Sequence, residues 1–339
     1  MKLIIQFIYG TLFLFTFSCQ NSMSKKFEWY PTECAPELYP INIVSAKLLL
    51  NNHSTVDVPS GSDMANGWGA IGQIHIVGDD NKPMPESLRV LWFSYVENEF
   101  YQGDFVLPKD ILTKLFNESF IDPNDRQPGH YDRIVVGFAP GGYVAVWAKG
   151  GQITTEIGFF KANPVDYDWQ KFSGGLDKSR EEYIASALDD ALDPDQRKIA
   201  AIPFGWKGKY EDDYRKVYSL SIANTLETRV SGVLISYFDG SAEYHISETA
   251  ANRWNLHQTT PKRIVWDWTS DSQKKLQTEI IFDETEIVDA FKKFNIRHSD
   301  APLTLFTEVV PASNSVSVIL KNRFDFIVLK QCTISTYEQ

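Results

Sequence analysis

Histidine and cysteine are scarce in this sequence, and neither is grouped. The six histidines, His53, His75, His130, His245, His257 and His298, include no pair at helical or strand spacing and no HExxH, so no metal site is expected. Asp122, Asn124 and Asp125 are rich in oxygen, but the Gln127-Pro128-Gly129 that follows does not continue a calcium loop. No serine has glycine two residues away on both sides, which removes the nucleophile elbow. Ser272 and Lys275 have S-x-x-K spacing, yet they lie between two expected strands without companion motifs. The glycine pairs Gly141-Gly142, Gly150-Gly151 and Gly174-Gly175 lack the lysine and hydroxyl residue of a phosphate loop. The expectation is a chain with no catalytic residues, no metal and no cofactor.

Positive charge is also short. Lysine and arginine total 33 against 44 acidic residues, a formal charge of −11. That balance makes the chain a poor electrostatic partner for nucleic acid or an anionic lipid surface and leaves a basic partner open. Long apolar runs are absent beyond the first, Leu3 to Phe17. The remaining chain, rich in aromatics, is expected to fold as a strand-rich body.

That first run is informative. MKLIIQFIYGTLFLFTFSC places one lysine, an apolar stretch and Ser18 before Cys19, the order of a secretory signal with a lipidation site. Residues 1–18 are read as signal peptide and 19–26 as a lipidated tether, with a covalent lipid such as palmitate on Cys19 and the membrane surface as its partner. QNSMSKKF carries no acid beside the cysteine, which resembles lipoproteins of the cell outer membrane that face the periplasm. Cys34 and Cys332 then remain, one near each end, and a disulfide between them is expected to compete with two buried thiols.

The chain also repeats itself. LRVLWFSYVENEFYQGDFVLPKDILTKLF (88–116) aligns with KRIVWDWTSDSQKKLQTEIIFDETEIVDAFKKF (262–294), setting Arg89 and Trp92 against Arg263 and Trp266. DRIVVGFAPGGYVAVWAKG, from Asp132, aligns with LTLFTEVVPASNSVSVILKN, from Leu303, setting Val144 and Val146 against Val316 and Val318. Each copy reads as strand, turn, strand, short helix and hairpin. Asp283 and Glu286 have capping-box spacing at the second helix. Between the copies, Ile184, Ala187, Leu188, Ala191 and Leu192 recur at three-four spacing and predict a helix, read as a spacer. The expected fold is α+β: a first repeat over 27–165, a helical connector over 166–205 and a second repeat over 206–339, as tandem domains side by side.

Two aromatics stand out as binding candidates. Trp68, in NGWGAIG, and Trp206, in PFGWKGKYEDDY, are flanked by glycines in expected loops, where large aromatics serve as contact hot spots. Glu97, Glu99 and Asp104 alternate with aromatics and read as solvent-facing strand positions.

CAPELYPI from Cys34, GWGAIG from Gly67, LRVLWFSYVENEFYQGDFVLP from Leu88 and IVVGFAPGGYVAVWAKG from Ile134 together resemble the DUF2931 family of bacterial envelope lipoproteins. The APGG segment with its following V-x-V-W is the most specific part. The resemblance implies an envelope location and supplies no catalytic residues, since the family has no assigned activity. Some members look like neighbours of phospholipase effectors delivered by contractile secretion systems, which is compatible with a protein effector as partner and a periplasmic immunity role. A structural or carbohydrate-binding envelope module using Trp68 and Trp206 is the alternative, and an enzyme with a dispersed site between the copies is the third reading.

Overall fold

A computed structural model describes residues 25–51, 54–74, 76, 79–200, 208–225, 229–246, 254–255, 259–270, 272–297, 301–310 and 315–339. Strands dominate. The described residues form sheets of nine, six and five strands, two two-stranded ribbons and five α-helices. This overturns the α+β expectation of tandem domains joined by a helical connector. The reason lies in runs such as IVVGFA and YVAVWA, apolar at every position, which suit strands buried on both faces. Arg133–Ala139 and Tyr143–Gly150 are buried almost throughout.

The first half is a two-layer sandwich. One layer orders its strands Tyr30–Cys34, Arg133–Ala139, Tyr143–Gly150 and Ile153–Lys161, with the first two parallel. The other layer runs Asn163–Val165, Glu99–Val106, Ser87–Ser94, Ile41–Leu49 and Thr55–Asp57. Between them lie Ile41, Ile43, Leu88 and Trp92 from one layer against Ile134, Val136 and Phe138 from the other. Helix Lys109–Asn117 follows Pro108, whose missing amide costs nothing there, and buries Leu112 and Phe116.

The second half repeats that strand order. Leu220–Asn224 runs parallel to Leu303–Val310, which is followed by Ser315–Lys321 and Phe326–Leu329. The facing layer runs Ala242–Ile246, Val230–Tyr237, Pro261–Thr269, Lys275–Ile281 and Thr333–Glu338. Trp266 is fully buried, as is Trp92. Helix Glu284–Arg297 buries Ile287, Phe291 and Phe294. Its capping box is half made: Asp283 Oδ1 accepts from the Glu286 amide at 2.8 Å, but the Glu286 carboxylate turns to the amides of Lys330 and Gln331.

The halves are joined by strands, not by a spacer. At the single paired position Thr154 and Ala242, a sheet of the first half meets a sheet of the second, making the nine-stranded sheet. The helices Arg180–Ala191 and Pro194–Ala200 pack back onto the first half. Phe93, Tyr95 and Phe100 point away from the main core and bury against Ile184 and Ala187, while Leu192 and Ala200 meet Tyr39. Strand alternation explains this, because an outward aromatic row needs an apolar cover. Each large side chain so covered contributes about 1.5–3 kcal/mol.

The expected disulfide is not formed; Cys34 and Cys332 are both free. Cys34 ends one edge strand of the nine-stranded sheet, and Cys332 immediately precedes the opposite edge strand. At about 4.8 Å per strand those edges are on the order of 35–40 Å apart, far beyond the roughly 7 Å limit between bridged Cα atoms.

Candidate functional site

The strongest concentration of unusual geometry is the seam between the halves. Trp68 enters it from the Gly67–Gly72 loop. Its ring meets Trp147 edge-on, centroids 4.9 Å apart, and Tyr210 of the second half at 5.1 Å. Two glycines make the approach possible. Gly69 (φ +76°) and Gly240 (φ +90°) face each other so closely that a Cβ on Gly69 would lie 2.8 Å from the Gly240 Cα. A Cβ on Gly240 would meet the Trp147 ring at 2.8 Å. Trp147 Nε1 donates to the Asp239 carbonyl at 3.2 Å. The Cys34 sulfur accepts from the Gly69 amide at 3.2 Å, and burial pushes that thiol up to about 12. It packs with Val135, Ala145 and Trp147 in the seam.

A cavity of about 270 Å³ opens beside Trp68, lined also by Tyr39, Lys209, Tyr210, Tyr214 and Glu284. Glu284 Oε1 accepts from Lys209 Nζ at 2.6 Å and from the Tyr214 hydroxyl at 2.7 Å. Burial, with the Glu284 charge behind it, pushes the Tyr39 phenol up to about 12.

Two larger clefts flank the join. In one, about 580 Å³, strands Ile153–Lys161 and Ala242–Ile246 part after their single paired position. Arg215 bridges to Glu156 and lies 4.2 Å over the Phe159 ring. Asp239 accepts from Thr259 Oγ1 and from the Ser241 amide, both at 2.8 Å.

The other cleft, about 610 Å³, is floored by Asp267, only 4% exposed. Its Oδ1 accepts from Gln277 at 2.8 Å and Gln339 at 3.1 Å, and its Oδ2 from the Tyr244 hydroxyl at 3.1 Å. Arg126 reaches in from the first half, donating to Ser231 Oγ at 2.7 Å with Asp267 Oδ2 3.8 Å away. Charged groups across the seam therefore hold one another in fixed positions. No group of three metal-binding side chains occurs among the described residues.

Of the residues singled out in the sequence, Trp68 is in the seam, half-buried between two other rings, and so is not an open stacking platform. Trp206 and Cys19 lie outside the described residues. Cys34 is in the seam; Cys332 packs against the second core. Glu97 is not the solvent-facing residue expected. It accepts from the Gly141 amide and the Tyr101 hydroxyl, each at 2.9 Å, so it caps the APGG hairpin, and burial raises its carboxyl above the usual range. Arg126 and Asp267 were missed. For Asp267 the signal was present, as a lone carboxylate inside the buried strand IVWDWT.

The fold and the seam define a duplicated β-sandwich protein whose two halves share one sheet. A family model described as protein of unknown function (DUF2931) matches residues 17–205, and the chain belongs to that family. The match spans the first half and the helices that pack on it. No curated protein and no solved structure matches.

Proposed function

We propose that this chain is a non-catalytic, membrane-anchored envelope lipoprotein that binds a protein partner in the periplasm, concretely a secreted toxic effector of phospholipase type. One observation carries the binding reading: the seam carboxylates Asp239 and Asp267 each accept hydrogen bonds on both oxygens from neighbouring side chains or backbone. Reacting groups need a free oxygen and room to change charge, whereas buried carboxylates bonded on both oxygens hold the walls of a binding cleft still. The tether supports a station close to the membrane, because the first strand, Lys26–Glu28, begins seven residues after Cys19. The family match adds no activity of its own.

The test is competition on a surface between the parent strain and one lacking the gene, with secretion shown to be active. Contact-dependent loss of the mutant, rescued by the anchored chain, is expected. Rescue should fail for Cys19→Ser, which keeps the body but removes the lipid. Equal survival of both strains would sink the effector reading. A carbohydrate-binding role is favoured by one feature, the amide-rich cleft around Asp267, with Gln152, Gln277 and Gln339 on its walls. Peptidoglycan fragments that bind the parent and not an Asp267→Ala variant would move the assignment there.

A further inference from the structure

Among the described residues the three large sheets have seven edge strands, and six carry a device that discourages another strand from pairing; Asp63–Met64, which shares its edge with Thr55–Asp57, is only two residues long. Tyr30–Cys34 contains Pro31 and is covered by the 66–73 loop, whose Gly72 and Gln73 amides bond Thr32 and Glu33. Asn163–Val165 is three residues long and contains Pro164. Thr55–Asp57 is equally short and ends in Asp57, paired with Lys47. Trp254–Asn255 has two residues. Thr333–Glu338 is polar, with Glu338 paired to Lys274.

Phe326–Leu329 is the exception. Its residues are F-I-V-L, no described strand pairs with its outer edge, and its outward side chains Phe326 and Val328 are 64% and 38% exposed. The apolar surface does not stop at the edge. Cross-strand register lines Val328 with Ile319, Ile319 with Phe306 and Phe306 with Ala223 on the outward face. Phe324 and Ile296, at the same margin, are largely exposed. In the first half the corresponding row, Thr32, Val135 and Trp147, is wholly buried beneath the seam.

We infer that the Phe326–Leu329 edge is a self-association surface, and that its occupant is the same strand of a second copy, paired antiparallel about a two-fold axis through Ile327. The strand is complementary to itself in that register. Phe326 of one copy falls opposite Val328 of the other, twice, on the outward face. Pairing residues of the same parity keeps both bodies on one side of the joined sheet. An isologous contact of this kind closes on itself as a dimer, so an open edge does not propagate into a fibre. The association does not depend on the effector reading: it uses none of the seam residues.

The test uses the protein purified from its membrane in neutral detergent, as processed by the cell, with mass measured by sedimentation across concentration and hydrogen exchange followed at residues 326–329. A dimer with slowed exchange at those amides is expected. Phe326→Lys and Val328→Lys change exposed side chains, so the body stays folded while the dissociation constant rises by roughly tenfold or more. Tyr337→Lys, on the far edge of the nine-stranded sheet, should leave the dimer intact. A monomer at every concentration with freely exchanging edge amides would overturn the proposal. So would open-ended assemblies, a dimer indifferent to both lysines, or edge protection that appears only when lipid vesicles are added.

Discussion

Two halves with one strand order have opposite surroundings, and the difference lies in what covers their outer faces. Trp147 and Ile319 occupy corresponding places: Trp147 pairs with Val135 as Ile319 pairs with Phe306. Trp147 is sealed by Trp68, Gly240 and the Asp239 carbonyl, whereas Ile319 stays half-exposed. On the other layer, Phe93 follows Trp92 as Asp267 follows Trp266. Phe93 is capped by the helices after the first half, and Asp267 faces a polar cleft. A shared architecture thus specifies inward positions and leaves outward ones to whatever lies over them. The family match follows the same division: it ends at residue 205, shortly after the last covering helix, Pro194–Ala200.

The comparison is broken most sharply at the first pair. Trp147→Ala should cost about 3–5 kcal/mol, as for other fully buried large side chains, because it empties the seam and strands the Asp239 carbonyl. Ile319→Ala should cost about 1 kcal/mol, since a half-exposed side chain forfeits only part of its transfer energy. Denaturant unfolding of the two variants measures both. Similar costs would mean that the second face is covered as tightly as the first. A single shared transition in the Trp147→Ala variant would mark the halves as one cooperative body.

Inward positions were legible because they obey strand periodicity. Trp92 and Trp266 could be aligned from sequence, and both are buried. The central strands were visible as apolar runs, but their double burial implied a third layer that no local pattern identified. The amphipathic helix at Ile184 was readable; its docking site was not, since Phe93, Tyr95 and Phe100 look like ordinary strand aromatics until the main core is seen to exclude them. The Cys34 to Cys332 bond failed for a similar reason: positions near the two ends of a chain say nothing about which sheet edges they occupy. Trp68 was correctly marked as unusual, yet its glycines serve close packing against Trp147 and Gly240.

The second pair gives a smaller effect. Asp267→Ala removes the acceptor of Gln277, Gln339 and Tyr244 and the counter-charge of Arg126. A loss of about 1–3 kcal/mol is expected, the range for buried donors left unpaired. Phe93→Ala, at the corresponding place, should cost more, because it opens a cavity among Tyr95, Phe100 and Phe172. Thermal unfolding that ranks Asp267→Ala above Phe93→Ala would show the cleft, not the aromatic cover, to be the better-built outer face.

The mildest test concerns the hairpin that carries the family's most specific segment. Glu97 lies under that turn, and burial raises its carboxyl despite the bonds from Tyr101 and Gly141 that favour the charged form. A carboxyl raised in the folded state binds its proton there at pH values where the unfolded chain has released it. Stability from this group is therefore fullest below the unfolded value and declines as pH rises through the folded one. Glu97→Gln keeps an acceptor for Gly141 and Tyr101 and removes the titration. The melting temperature of the parent relative to this variant should fall as pH is raised from acid toward neutrality. A difference that instead grows with pH would mean that the turn's hydrogen bonds outweigh burial, making Glu97 a stabilising anion at the first half's hairpin.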